Sequence, residues 1–118
     1  MAKNQQDLER TEYWHKLMNQ SLVRFFILKA LRDHQVHGYI LGQLIERYSW
    51  GICKPTEGTL YPALNELEKG GYIKSTSEIV TGRERKIYRI TDKGKSAFRT
   101  AAKTWAETLP LLRKATIL

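Results

Sequence analysis

Apolar and polar positions alternate along the chain in ways that predict several helices. Over residues 3–18 the apolar side chains recur every three or four positions, which is typical of a helix with one buried side. Asn19 or Ser21 can cap a second helix, because each side chain can accept a hydrogen bond from an exposed backbone N–H. That helix is apolar on nearly every side from Leu22 to Leu31, so we predict that it is the central helix of the core.

Two further helical patterns follow. Residues 37–49 have apolar positions three or four residues apart, and after a turn residues 56–69 repeat this pattern on one face. Pro62 fits best near the first turn of a helix, because a proline inside a helix removes a backbone hydrogen bond and clashes with the preceding turn. This helix therefore begins either near Tyr61 or at Thr56 with a bend.

Two extended segments come next, separated by a turn. Residues 72–77 and 86–91 alternate or carry β-forming residues, and Thr81-Gly82 is the turn signal between them. We predict an antiparallel hairpin with inward-facing apolar side chains. Its tip carries three basic residues and one acid, namely Arg83, Glu84, Arg85 and Lys86.

The last helix has a stripe of small residues with one tryptophan. Thr91 or Asp92 can cap this helix, and we expect it to run to about Leu109, where Pro110 ends or kinks it. Such a stripe lets two helices approach closely. We interpret it as a homodimer contact, with packing on its own domain as the alternative. The stripe consists of Ala97, Ala101, Trp105, Leu109 and Leu112.

Trp14 on the first helix is open to the same two interpretations. It packs either on the body of its own domain or on a second subunit. If a dimer brings Trp14 and Trp105 together, the two rings could line a pocket for an aromatic effector, although aromatic stripes more often serve packing.

The order of these elements predicts a mostly helical α+β fold, a winged helix-turn-helix with a two-stranded wing. A short helix beside a two-stranded ribbon is the arrangement with which such folds contact DNA. We divide the chain into an N-terminal helix (1–20), a DNA-binding winged helix-turn-helix (21–91) and a C-terminal dimerisation helix (92–118).

Charge favours a polyanionic partner. The 118 residues carry a formal net charge of +8, and the sequence pI is about 9.7. Basic proteins gain affinity for phosphates by releasing counterions, so double-stranded DNA is the leading partner and an anionic membrane surface the weaker one. No apolar run is long enough to cross a bilayer. Cys53 is the single cysteine and the N-terminus lacks the apolar core of a secretion signal, so we expect a cytoplasmic protein without an internal disulfide.

The helix over residues 56–69 offers side chains for phosphates and base edges. Thr56 and Thr59 can donate hydroxyl hydrogen bonds, beside a helix N-terminus that favours a phosphate. Tyr61 can donate to a phosphate or pack on a thymine methyl group, and Asn65 can bind adenine in bidentate fashion. Lys69 can contact the DNA backbone. The wing residues Arg83, Arg85 and Lys86 can hold the flanking backbone or enter the minor groove.

Three ordered motifs resemble the PadR family of transcriptional regulators. Residues 56–64, TEGTLYPAL, look like the family's recognition-helix signature. Residues 37–41, HGYIL, resemble its upstream element. Residues 83–91, RERKIYRIT, followed by Lys93-Gly94, resemble its wing and the start of the next helix. The resemblance covers roughly residues 22–98.

This resemblance implies a dimeric regulator, often a repressor, whose DNA affinity responds to a small molecule or another signal. It implies that Tyr61 contacts DNA and that the last helix dimerises. Glu84 departs from the family pattern, which commonly has proline there, so the shape and charge of the wing tip differ. One helix beyond the wing resembles the short members of the family.

Other functions have weaker support. A winged helix that docks on a protein without specific DNA binding is the alternative from another class. We expect no enzyme, cofactor or metal site, because no phosphate-binding loop or dinucleotide-binding glycine pattern occurs and the cysteine and histidines lack ligand spacing. His34 and His37 lie close enough to keep a metal site as a minor alternative, and we interpret His37 as a capping or packing residue.

Overall fold

The computed structural model describes residues 7–117, which form four helices and a small antiparallel sheet. The strand order is β1-β3-β2. The predicted winged helix-turn-helix is confirmed. A two-residue strand before the second helix extends the predicted two-stranded wing to three strands, and it is too short to produce an alternating pattern. The elements are α1 (Thr11–Asp33), β1 (Val36–His37), α2 (Gly38–Tyr48), α3 (Glu57–Lys69), β2 (Ile73–Val80), β3 (Arg83–Ile90) and α4 (Asp92–Ala115).

Helix α1 is continuous, so the predicted break at residues 19–21 is wrong. Asn19 Nδ2 donates to the carbonyl of His15 at 2.9 Å, and Ser21 Oγ donates to the carbonyl of Met18 at 3.1 Å. Both side chains therefore bond to the preceding turn of the same helix instead of capping a new one. The predicted start is also wrong for residues 7–10, which precede the helix, and residues 3–6 lie outside the described residues.

Helix α4 continues past Pro110 to Ala115, so the predicted end near Leu109 is wrong. Pro110 cannot donate to the carbonyl of Ala106, and both residues lie on an exposed part of the helix, where water can bond to that carbonyl. At the other end Thr91 is the cap, because its hydroxyl accepts a hydrogen bond from Gly94 N at 3.1 Å.

The core lies where α1 contacts α2, α3 and α4 on one side of the sheet. Phe25 of α1 stacks on Phe98 of α4, with ring centroids 5.3 Å apart. Burial of each large aliphatic side chain contributes about 1.5–3 kcal/mol. The predicted central helix supplies the largest share of this core, including Val23, Ile27, Leu28 and Leu31.

The hairpin turn is at Thr81-Gly82, as predicted. Their φ angles of 50° and 78° are the positive values that a two-residue hairpin turn of type I′ requires. The strands are longer than predicted, because residues 78–80 pair with residues 83–85. Arg83 and Arg85 therefore belong to the strand ladder and not to a loop. Among the described residues, no helix is long and apolar enough to span a membrane.

Candidate nucleic-acid interface

Helix α3 begins at Glu57, with Thr56 as its N-cap residue. The backbone N–H groups of Thr59 and Leu60 donate to the carbonyl of Thr56 at 3.0 and 2.8 Å. Pro62 is thus inside the helix, and the alternative start near Tyr61 is wrong. The carbonyl that loses its donor belongs to Gly58, which is exposed, so water can satisfy it.

One face of α3 is buried and the opposite face is free. The apolar residues predicted for the inner face are between 0% and 7% exposed, namely Leu60, Ala63, Leu64 and Leu67. This burial turns four of the five predicted contact residues outward as exposed side chains. These are Thr56, Tyr61, Asn65 and Lys69, while Thr59 is half-buried.

An ion pair ties the exposed edge of α3 to α1. Arg24 Nη2 donates to Glu66 Oε1 at 2.6 Å. This hydrogen bond and the charge of Arg24 hold the pKa of Glu66 below its usual range. The negative charge of Glu66, which would repel a phosphate, is therefore balanced by the positive charge of Arg24 beside it. Sequence reasoning missed this role of Arg24, because the pair joins residues 42 positions apart.

The N-terminus of α3 opens into a cleft whose other wall is α1. The Thr56 hydroxyl donates to the Thr59 hydroxyl at 3.3 Å inside this cleft. Lys16 from α1 and Lys54 from the preceding turn line it as well. Glu12 lines the same cleft and Lys54 Nζ lies 3.7 Å from Glu46 Oε2. These carboxylates offset part of the positive charge that the two lysines add to a helix end that favours anions. Neither lysine was predicted to contact DNA. The only sequence signal was the position of Lys54 immediately before Pro55.

The wing distributes its basic residues over the two faces of strand β3. Alternation along β3 places Arg83 and Arg85 on one face and Lys86 on the other, together with the buried ring of Tyr88. Lys86 therefore lies on the same side as the recognition helix. Arg85 is half-buried, and its guanidinium carbon lies 4.5 Å from the ring centroid of Tyr39 in α2.

Tyr61 and Lys86 border the same cleft, between α3, the first turn of α2 and strand β3. The cleft has a volume of about 190 Å³. Tyr39 also borders it and is half exposed. The fold thus brings the predicted recognition-helix tyrosine together with two predicted wing residues, Arg85 and Lys86. It adds a second tyrosine that sequence reasoning did not select.

The residues predicted for a dimer interface lie on the outer parts of α1 and α4. Trp14 is 50% exposed, and its indole N–H donates to the carbonyl of Leu8 at 2.8 Å. Ala101 and Trp105 are half-buried, and Leu109 is 53% exposed. The outer half of α4 therefore presents apolar side chains to solvent.

His37 is the N-cap residue of α2 through its backbone, without a capping side-chain bond. Its ring Nε2 lies 2.6 Å from Glu78 Oε1 in the wing. In the part of the chain that the structure describes, no three His, Cys, Asp or Glu side chains form a group that could hold a metal ion.

Comparison with known proteins identifies relatives of this chain. The family described as "Transcriptional regulator PadR-like family" matches residues 27–100. The transcriptional regulator Rv3488 of Mycobacterium tuberculosis is 38% identical over 78 residues, which cover 66% of this chain and 70% of that protein. A transcriptional regulator from Clostridium thermocellum has a similar structure, with a TM-score of 0.75, 29% identity and coverage of 86% of this chain and 98% of the other.

A further similar structure contains nucleic acid. It is Bacillus subtilis PadR in complex with operator DNA, with a TM-score of 0.62 and 26% identity. The similarity covers 69% of this chain and 47% of the Bacillus subtilis protein.

Proposed function

The chain belongs to the PadR-like family of transcriptional regulators, and we propose that it binds double-stranded DNA sequence-specifically as a homodimer. The observation that carries this proposal is the exposed polar face of α3, which is flanked by a basic wing in a chain of net charge +8. The similarity to a PadR protein bound to operator DNA supports the same function.

The exposed face of α3 enters the major groove. Tyr61 and Asn65 are one helical turn apart on this face, so both can reach base edges of one half-site. Thr56 and Thr59 contact a phosphate at the helix N-terminus, and Lys69 contacts the backbone farther along. Asn65 is the side chain suited to bidentate recognition of adenine.

The wing contacts the backbone beside the groove. Lys86 faces the recognition helix and reaches the phosphates nearest to it, and Arg83 at the hairpin end reaches a phosphate farther out. Arg85 contributes positive charge from its position against Tyr39. These contacts raise the affinity for DNA of any sequence, whereas the contacts of α3 discriminate between DNA sequences.

Two features support dimerisation: the small DNA contact that a single recognition helix can make, and the apolar surface on α1 and α4. One short helix gives too few base contacts for tight specific binding, and two helices about one helical turn apart, ~34 Å, fit a pseudo-palindromic site. The exposed apolar residues of α1 and α4 supply the contact, with Trp14, Ala101, Trp105 and Leu109 at its centre. The dimer acts as a repressor, and a small-molecule effector releases it, with Trp14 and Trp105 as candidate pocket residues.

Binding to a fluorescent duplex from the region upstream of the protein's own gene tests this function. We expect tight binding that prefers this duplex over a random one and weakens steeply as salt rises, because each phosphate contact releases counterions. Equal weak binding to both duplexes would contradict specific recognition at this site and would favour docking on a protein.

A further inference from the structure

The wing is joined to the start of α2 by two side-chain pairs. The Arg85 guanidinium lies over the Tyr39 ring, 4.5 Å from its centroid, and His37 Nε2 lies 2.6 Å from Glu78 Oε1. We call these four residues, His37, Tyr39, Glu78 and Arg85, the wing clasp. Two come from the β1–α2 junction and two from the hairpin, so the clasp connects the helix-turn-helix to the wing.

The pairing of the strands explains why these side chains meet. Strand β1 pairs with β3 at His37↔Ile87, so the chain that continues from β1 into α2 brings Tyr39 beside Arg85. Across the hairpin, Glu78 is the direct partner of Arg85. Glu78 nevertheless bonds to His37, and the guanidinium of Arg85 packs on the tyrosine ring.

The junction beside the clasp is tightly packed. A Cβ atom added to Gly38 would lie 3.1 Å from Tyr88 Cε2 and 3.7 Å from the Tyr61 hydroxyl. Tyr61 of α3 and the hairpin residues Arg85 and Lys86 line the same cleft, which Tyr39 also borders. The angle of the hairpin therefore sets the separation between a recognition-helix side chain and a wing cation.

We propose that Tyr39 is a positioning residue for DNA binding, whose ring holds Arg85 and so sets the angle of the wing relative to α3. This inference rests on the proposed function. In this role the aromatic face of Tyr39 matters and its hydroxyl does not. Arg85 acts through the position of the hairpin as well as through its charge.

Two substitutions at Tyr39 separate the ring from the hydroxyl. Tyr39→Phe keeps the π face, and we expect its affinity for the preferred duplex to stay close to that of the unmodified protein. Tyr39→Leu keeps apolar volume without a π face, and we expect a loss of about two- to fivefold, the factor that corresponds to an exposed cation–π pair. An equal loss in both variants would overturn the proposal, because it would indicate a direct contact of the hydroxyl with DNA.

A double-mutant cycle tests whether Tyr39 acts through Arg85. In the Arg85→Ala background we expect Tyr39→Leu to cause no further loss of affinity, since the ring has no guanidinium to hold. The same loss in both backgrounds would overturn the proposal. Melting temperatures of all variants show whether they remain folded, and Tyr39→Phe is the matched control.

Amide hydrogen exchange in the free protein gives a result that does not depend on DNA. We expect faster exchange at hairpin residues 78–85 in Tyr39→Leu than in Tyr39→Phe, because the clasp restrains these strands. Equal exchange would overturn the proposal. If the unmodified protein bound neither duplex specifically, the proposed function would fail, and the exchange experiment would still decide whether Tyr39 restrains the wing.

Discussion

Helix α3 and the outer half of α4 have similar apolar stripes and very different surroundings. Leu60 and Leu64 of α3 are 4% and 0% exposed, whereas Leu109 and Leu112 of α4 are 53% and 54% exposed. The first stripe meets α1 and the sheet, while the second extends beyond the core of its own chain. The same pattern can therefore serve the fold of one chain or an association between two chains, and the neighbours decide which.

The largest expected effect is on the buried stripe. Leu64→Ala should lower the free energy of unfolding by about 2–5 kcal/mol, because it leaves a cavity in a close-packed core. Leu109→Ala, the matched control, should cost less than about 0.5 kcal/mol in the monomer, since its side chain is already exposed. Denaturant unfolding at low protein concentration measures both, and similar costs would contradict the comparison.

A charge on the exposed stripe should separate the subunits of the proposed dimer. Leu109→Glu is expected to raise the dimer dissociation constant by about 30-fold or more, because it places an unpaired carboxylate in an apolar contact. Sedimentation velocity across a concentration series gives the constant. Lys103→Glu introduces a carboxylate on the opposite face of α4 and should leave the dimer intact. A dimer that tolerates Leu109→Glu would remove α4 from the proposed interface.

The outer face of α3 should be sensitive in DNA binding and tolerant in folding. Tyr61→Ala is expected to weaken binding to the preferred duplex by about 1–2 kcal/mol, the cost of one lost phosphate or base contact. The variant should remain folded, because Tyr61 is 38% exposed and lies outside the buried face of α3. Fluorescence anisotropy and thermal unfolding measure the two quantities, and unchanged affinity would exclude Tyr61 from the interface.

The smallest expected effect is the pH dependence of the pair between Arg24 and Glu66. The folded protein lowers the pKa of Glu66, mainly through the hydrogen bond from Arg24. The stabilisation by this pair is therefore fully present when the pH is above the Glu66 pKa of the unfolded chain. It is lost as the pH falls through the lowered Glu66 pKa of the folded protein. Glu66→Gln should lower the melting temperature slightly at neutral pH, and this difference should vanish in acid. A difference that persisted at a pH of about 2 would contradict the assignment.

Sequence patterns predicted the regular parts of the fold well. The burial of the α3 stripe, the turn at Thr81-Gly82 and the cap at Thr91 all follow from local chemistry: helical spacing, positive φ and side-chain acceptors. The errors occurred at residue types that can begin or end a helix and can also lie inside one. Ser21, one of two candidate caps, bonds inside α1. Pro110, which was expected to end or kink the last helix, lies within α4.

Sequence patterns also predicted some residues of the candidate site and missed others. Periodicity placed Asn65 on the outward side of α3 and Tyr61 on the flank of the buried face, because one buried face leaves only one exposed face. It could not identify Tyr39 or Arg24, since each acquires its role from a partner far along the chain. It also could not divide the wing cations between two faces, because that division depends on the register of β3 against β1 and β2.

The sequence by itself determined the helical segments, the hairpin and their order along the chain, the basic charge and the likeness to a family of regulators. These properties depend on residues that are neighbours in the chain or on composition. Only the tertiary structure decided that α1 continues past Asn19, whose side chain accepts a hydrogen bond from Lys54 N, which wing cation faces the recognition helix and how Arg85 meets Tyr39. Those outcomes depend on contacts between distant residues, whose burial and hydrogen bonds outweigh local preferences of a few tenths of a kcal/mol to about 1 kcal/mol.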